Sequence, residues 1–129
     1  MFAMDLLFLL GRVILGSYFI MSGYNHLAKL EMMSQYAASK GVPKIMVIIT
    51  GLQLLVGGLS ILLGVYPQLG ALLLVAFLMP VAFIMHNFWQ EKDQMMKMTQ
   101  MVNFTKNLAL AGALLIISTI SSWPYSLRF

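Results

Sequence analysis

The sequence predicts an all-α integral membrane four-helix bundle with one or two short interfacial helices, and two observations carry that prediction. Of the 129 residues, 60% are hydrophobic and only 9% are charged, whereas about a quarter of the residues in soluble domains are charged. Residues 69–85 carry no charge and stop at His86-Asn87-Phe88-Trp89. An apolar run that ends at an aromatic and polar rim is typical of a helix leaving a membrane. Three other stretches resemble it, so we expect a single membrane domain.

The four spans follow from apolar length and from the residues that interrupt it. The first span begins near Asp5, a candidate N-cap, and Arg12 is a lone charge inside its apolar run. The Tyr66-Pro67-Gln68 segment forms a tight turn, which makes the second and third spans antiparallel neighbours. Pro80 predicts a kink in the third span. The predicted spans are residues 5–30, 43–65, 69–89 and 102–122.

Two polar connections join these spans. Residues 31–40 place apolar side chains at helical spacing among polar ones, which predicts a short amphipathic helix at the membrane interface. Gly41 suits the end of that helix, and Pro43 suits the first turn of the next one. Residues 90–100 are polar with methionines at every third position, so we expect a second interfacial helix there.

Charge placement predicts an orientation and excludes some functions. All six lysines lie in or beside the two longer connections, whereas the termini and the Tyr66 turn carry only Arg12 and Arg128. The positive-inside rule then puts both connections in the cytoplasm and both termini outside. The basic residues are scattered singly, so no nucleic-acid partner is predicted. Because the chain has no cysteine, redox chemistry would require a bound cofactor or a partner.

One helical stripe runs along the first span. Its members recur at steps of four and three residues, which places them on one face of a helix: Arg12, Gly16, Phe19, Gly23 and His26. An arginine facing lipid is costly, so Arg12 either snorkels to the near surface or points into the bundle. Other small residues at helical spacing are candidate contact ridges between helices: Gly51, Gly57, Gly58, Gly64, Ala109 and Gly112.

Polar residues gather at one end of the predicted bundle. The first and third spans run in the same direction, so His26 and His86 should lie at similar depth near the same end. That end also receives Lys44, Asn103, Lys106 and Asn107, while Gln53 lies deeper. Such a mouth suits a quinone headgroup, with His86 or Lys106 bonded to a carbonyl and Trp89 or Phe104 stacked on the ring.

Other ligands compete with a quinone at this mouth. The two histidines could ligate a b-type haem, but an interfacial polar role explains each of them more simply, so we do not expect haem. Copper binding through thioether sulfurs is a weaker alternative, because an amphipathic interfacial helix already accounts for the methionines. The candidate copper ligands would be Met95, Met96, Met98 and Met101. A small-solute transporter would favour broken helices and internal repeats; Pro80 offers one break and no clear repeat is present.

With these residues in view, the chain resembles the DoxX family of small four-helix bacterial membrane proteins along nearly its whole length. The resemblance lies in the helix-one stripe and in several further segments, taken together in order and spacing: Gly23-Tyr24-Asn25-His26, residues 36–43, Gly57-Gly58, residues 86–89, Asn103-Phe104 and Lys106-Asn107. Many relatives carry glutamate where this chain has Gln53, which puts a proton-coupled or cation-pairing role of that position in doubt.

The resemblance implies a multi-pass protein of the bacterial inner membrane, with relatives linked to quinone-dependent thiosulfate oxidation and to complexes handling thiol and oxidative stress. We therefore expect a membrane subunit of an oxidoreductase system, with no catalytic motif or intrinsic cofactor of its own and with partner subunits or a homo-oligomer as possible assemblies. The alternative is a non-catalytic assembly or chaperone-like subunit. The predicted ligand-binding residues are His86, Asn87, Trp89, Lys106, Asn107, His26, Arg12 and Gln53.

Overall fold

The fold is described by a computed structural model that covers residues 2–127, and it confirms the predicted all-α membrane bundle. Arg128, one of the charges used for the predicted orientation, lies outside these residues. The helices are α1 (Phe2–Ala28), α2 (Leu30–Ser39), α3 (Lys44–Leu63), α4 (Pro67–Met85) and α5 (Gln94–Ile117), with a 3-10 turn at Phe88–Gln90. Among residues 2–127, all of these except α2 and the short turn are long and apolar enough to cross a bilayer.

The short helix α2 matches the predicted interfacial helix, but the predicted second one is wrong. Residues 94–100 form the first turns of α5, so this helix starts before residue 102. Asp93 causes the early start, because its carboxylate accepts a hydrogen bond from the backbone N–H of Met96 at 3.0 Å and caps the helix. Three methionines of the copper alternative are exposed on these first turns, and Met101 is exposed directly after them.

Three span boundaries also differ from prediction. Helix α1 already begins at Phe2, so Asp5 lies in its first turn and is not its N-cap. Helix α4 ends at Met85, and Trp89 belongs to the following 3-10 turn. Helix α5 ends at Ile117, and the Ser118 and Thr119 hydroxyls after it donate to the carbonyls of Leu115 and Ile116, at 2.7 and 2.6 Å.

Close backbone approach joins α1 to α3. A Cβ added at Gly16 would lie 2.9 Å from the carbonyl oxygen of Gly58, and one at Gly23 would lie 2.7 Å from that of Gly51. Side chains larger than hydrogen do not fit these positions, so this pair of helices uses the small-residue packing common in membranes. The predicted stripe is correct, because Arg12, Gly16, Phe19, Gly23 and His26 are the buried residues of α1.

The remaining helices are joined in series. Helix α3 packs on α4, where Gly57 lies against Leu74, and α4 packs on α5. Within residues 2–127, α1 has no comparable interface with α5. The predicted ridge at Ala109 and Gly112 is wrong: both are exposed, and a Cβ added at Gly112 would meet nothing within 4 Å. The core lies between the helices, around Phe19, Leu54, Ile61, Leu74 and Leu114.

Candidate functional site

A cavity of about 540 Å³ opens among the helices at the end that carries the two histidines. Its walls are mostly apolar, with Phe19, Val47 and Phe77 among them, and α2 contributes Met33 and Tyr36. Ligand pockets in proteins are typically clefts of this size, with apolar walls and a few placed polar groups. The polar groups here include five of the residues predicted from sequence: His26, Gln53, His86, Lys106 and Asn107.

His86 is held at the cavity by a chain of hydrogen bonds. Its Nδ1 lies 2.7 Å from Oε1 of Gln100, and Nε2 of Gln100 donates to the hydroxyl of Tyr36 at 2.6 Å. The Tyr36 hydroxyl in turn donates to the backbone carbonyl of Met85 at 2.7 Å. This chain ties the end of α4 to α2 and α5, and it fixes the position of the imidazole.

Tyr36 keeps its proton in this chain over a wide pH range. Burial of the phenol raises the pKa of Tyr36, the nearby carboxylate of Glu91 raises it further, and the hydrogen bond from Gln100 opposes both effects. The neutral hydroxyl therefore remains a donor to the Met85 carbonyl at every physiological pH, since an ordinary tyrosine titrates near pH ~10.

His26 is held by a different helix. Its Nδ1 lies 3.2 Å from the carbonyl oxygen of Val47 on α3, and its ring packs edge-on against Phe77 with the ring centroids 5.7 Å apart. Phe77 precedes His86 on α4 by roughly 13 Å of helix rise. The predicted similar depth of the two histidines is therefore wrong: His26 lies deeper in the bundle than His86, an arrangement that does not match two ligands on opposite faces of one haem iron.

The other polar wall residues come from α3 and α5. Gln53 donates from Nε2 to the backbone carbonyl of Leu73 at 2.8 Å, which leaves its Oε1 without a partner in the described chain. Lys106 places its ammonium over the ring of Tyr18, 6.0 Å from the ring centroid, and so contacts α1 from α5. Asn107 is buried beside the cavity one residue further along α5.

Two of the predicted residues lie close to the cavity but do not line it. Asn87 accepts a hydrogen bond from Nζ of Lys40 at 2.6 Å, so it links α2 to the end of α4. Trp89 is half exposed and belongs to an aromatic cluster with Phe83, Phe88 and Phe104. The aromatic cluster packs the 3-10 turn onto α5, and the structure does not place Trp89 where it could stack on a ligand in the cavity.

Arg12 lies at the opposite end of the bundle. Its guanidinium donates to the backbone carbonyls of Leu62 at 3.2 Å, of Tyr125 at 2.6 Å and of Pro124. The side chain is only 5% exposed, so it points into the bundle and does not snorkel. It also lies 5.9 Å from the ring centroid of Trp123, which anchors the chain after α5. Arg12 is therefore not part of the cavity.

Two residues of the site were missed by sequence analysis. Tyr36 appeared only as an apolar position on a surface helix, and Gln100 lay in a segment that was assigned to a separate interfacial helix. The Asp93 cap would have shown that α5 starts early and carries Gln100 inwards along the face of Asn107, since the two are seven residues apart. No local pattern marks Tyr36, because its partners come from α4 and α5.

Comparisons with known proteins agree with this architecture. The family model described as DoxX matches residues 7–87, which carry the α1 stripe and the cavity residues through His86. The inner membrane protein YqjF of Escherichia coli is 29% identical over 120 residues, covering 92% of this chain and 87% of that protein. The inner membrane protein YphA of the same organism is 28% identical over 127 residues, covering 97% and 90%.

No solved structure matches the chain significantly. The family match covers more than half of the chain, and both relatives align over nearly all of it. Four apolar helices long enough to span a bilayer agree with the location of these relatives. The chain therefore belongs to the DoxX family and is a multi-pass protein of the bacterial inner membrane.

Proposed function

We propose that the protein is the membrane subunit of an oxidoreductase system and that its cavity binds a quinone-like or other small apolar ligand. The observation that carries the proposal is the cavity of about 540 Å³, whose walls are apolar and whose few polar groups come from four different helices. Polar groups inside a membrane bundle are costly to keep unless they have partners or a function. Here several of them line one cavity that is large enough for an aromatic headgroup.

The side of the bundle between α1 and α5 supports access from the bilayer. The two helices have no extensive interface in residues 2–127, and the contact of Lys106 with the ring of Tyr18 crosses this side. Tyr18 lines the cavity and is also exposed on the outer surface. A lipid-soluble ligand could enter here without passing through water, which suits a molecule with an apolar tail.

The polar wall groups would orient the ligand. Lys106 supplies an ammonium donor, and His86 supplies an imidazole held in place by Gln100. The aromatic residues Phe19 and Phe77 supply a flat apolar surface at the inner end. A quinone brings the redox chemistry that the chain lacks, since the protein has no cysteine and no metal-binding cluster among its described residues.

The test is to purify the protein gently from its own membrane and to analyse it by solvent extraction and native mass spectrometry. We expect a lipid-soluble aromatic compound to co-purify with the wild type. His86→Asn should lose this compound while remaining folded, because the asparagine amide can still donate to Gln100 but no longer presents a group at the Nε2 position. Thr99→Val, an exposed change on α5, is the matched control and should retain it. Folded wild type that carries phospholipid alone would contradict the proposal.

A non-catalytic assembly role is the second candidate, and one observation favours it. Arg12, Asn87 and Trp89 all have partners within the chain that explain them without any ligand. If the cavity residues have the same purpose, His86→Asn should change stability alone and leave the content of the extract unchanged. The extraction experiment therefore separates the two functions.

A further inference from the structure

We infer that the cavity selects a neutral aromatic ligand that donates hydrogen bonds, a phenol or hydroquinone, over one that only accepts them, such as a quinone. This inference rests on the proposed function, because it names the ligand class for the same cavity. Its basis is that in each of three wall residues an N–H group is bonded to a protein oxygen, which leaves an acceptor atom of the same side chain without a protein partner: His86, His26 and Gln53.

The hydrogen-bond direction at His86 is fixed by a backbone carbonyl. The carbonyl of Met85 can only accept, so the Tyr36 hydroxyl must donate to it. Tyr36 has one hydrogen, so Gln100 must turn its amide nitrogen towards Tyr36 and its oxygen towards His86. The Nδ1 of His86 must then carry the hydrogen, and in the neutral imidazole Nε2 is an acceptor. In the described chain Nε2 has no partner and is not sealed off by protein.

The position of the ring hydrogen of His26 is fixed in the same way, by a backbone carbonyl. The group closest to its Nδ1 is the carbonyl of Val47, which can only accept. Thr50 lies 3.3 Å from the same nitrogen, but its hydroxyl hydrogen is already used by the carbonyl of Met46 at 2.6 Å. Nδ1 therefore carries the hydrogen, and Nε2 of His26 is a second acceptor beside the cavity.

Gln53 supplies the third acceptor. Its amide nitrogen faces the carbonyl of Leu73, and the reverse orientation would set two oxygens against each other. The amide oxygen is therefore the free atom on the cavity side of α3. Three acceptors held by three different elements are a preformed pattern, because a neutral imidazole cannot move its hydrogen to Nε2, and the amide of Gln53 cannot turn over, without breaking a hydrogen bond to the protein.

Lys106 narrows the ligand class further. Its ammonium in the wall repels a cationic ligand, which would otherwise suit three acceptors. A hydroxyl can donate to Nε2 of His86 and also accept from Lys106, whereas a carbonyl can only accept, from donors such as Lys106 and Asn107, and leaves the acceptors of the wall unused. The aromatic walls favour a ring as the carrier of the hydroxyl groups. These conditions together are met by a phenol or a hydroquinone.

The test compares three matched probes on the full-length protein in lipid nanodiscs: a short-chain benzohydroquinone, the corresponding quinone and the di-O-methyl ether of the hydroquinone. We expect the hydroquinone to bind at least about tenfold more tightly than either other probe, since an unmade hydrogen bond in a buried site commonly costs this much. His86→Asn and Gln53→Leu should each reduce the preference, and Thr99→Val should preserve it. Histidine ¹⁵N chemical shifts in the ligand-free protein should show hydrogen on Nδ1 and none on Nε2 at both histidines.

Each other outcome overturns a defined part of the account. Equal binding of hydroquinone and quinone, or tighter binding of the quinone, would overturn the ligand class and leave the proposed function standing. Binding of none of the three probes by folded protein would overturn both. Hydrogen on Nε2 of His86 would overturn the inference on its own, whatever the affinities. A variant that fails to fold is replaced by Tyr36→Phe, which frees Gln100 to turn and should also reduce the preference.

Discussion

The two ends of the bundle handle buried polar groups in opposite ways. At the Arg12 end, the donors of one guanidinium are matched by three backbone carbonyls from α3 and the C-terminal segment. At the cavity end, one N–H group each of His26, Gln53 and His86 is bonded to the protein, and an acceptor atom of each side chain has no partner in the described chain. Arginine has five donors and no acceptor, and three of these donors bond to the chain itself, whereas in the proposed function a ligand meets the acceptors at the cavity end.

The same difference is present within the buried stripe of α1, whose spacing alone does not distinguish its two basic residues. Arg12 and His26 lie on the same buried face of α1, and both are basic residues in an apolar helix. Arg12 bonds to the end of α3 and to the segment after α5, whereas His26 lines the cavity of about 540 Å³. Two basic residues on one face of a helix therefore have different surroundings, which only their hydrogen-bond partners reveal.

The largest expected effect is at the Arg12 end. Arg12→Leu leaves the carbonyls of Leu62, Pro124 and Tyr125 without their donor, and we expect a loss of roughly 3 kcal/mol or more in the free energy of unfolding, since each charged hydrogen bond is worth about 1.5–3 kcal/mol. Denaturant titration in mixed micelles measures it. Arg12→Lys keeps the charge but loses the planar set of guanidinium donors, so its free energy of unfolding should lie between those of the wild type and Arg12→Leu. An unchanged stability in Arg12→Leu would contradict the structural role.

The next effect tests the helix contact that joins the two ends. Gly23→Ala would place Cβ 2.7 Å from the carbonyl oxygen of Gly51, and because backbone cannot move aside cheaply, we expect about 1–3 kcal/mol of destabilisation. The matched control is Gly112→Ala on α5, where nothing lies within 4 Å; helix propensity there favours alanine by roughly 0.5–1 kcal/mol. Equal effects of the two changes would mean that α1 and α3 are not packed through Gly23.

A smaller effect is expected in the wall of the cavity. Tyr36→Phe removes the donor to the Met85 carbonyl and the acceptor of Gln100, which should lower stability by about 1 kcal/mol. Tyr24→Phe, on an exposed tyrosine of α1, is the control and should change little. If both variants behave alike, the hydrogen-bond chain to His86 does not hold α2 in place.

The smallest effect is a pH dependence of the same residue. Because burial raises the pKa of Tyr36 in the folded protein, its stabilising contribution is complete below the pKa of an unfolded tyrosine, about 10, and is lost as the pH rises through the higher folded value. The difference in unfolding midpoint between wild type and Tyr36→Phe should therefore stay constant from pH 7 to 9 and shrink above pH 10. A difference that already shrinks below pH 9 would show that the protein does not raise the pKa of the partly buried phenol.

The sequence predicts the bundle well because helical periodicity is a local property. The stripe from Arg12 to His26 was predicted from its spacing alone, and all of its members are buried. The site is predicted in part. A polar side chain such as His86 or Gln53 in an apolar segment indicates a position inside the bundle. The hydrogen-bond chain through Tyr36 and Gln100 is not predicted, because it joins residues far apart in sequence. Which atom of a histidine remains open depends on those distant partners, so spacing does not reveal it.

The most direct test of a structural role for the Arg12 end and a ligand-binding role for the cavity end is one experiment on the protein in nanodiscs. Thermal unfolding is followed with and without a short-chain benzohydroquinone for wild type, Arg12→Lys and His86→Asn. We predict that Arg12→Lys unfolds at a lower temperature but keeps the ligand-induced shift, because a ligand stabilises whatever folded state binds it. His86→Asn should unfold near the wild-type temperature and lose the shift. If Arg12→Lys loses the shift, or if His86→Asn keeps it, the separation of a structural end from a ligand-binding end is wrong.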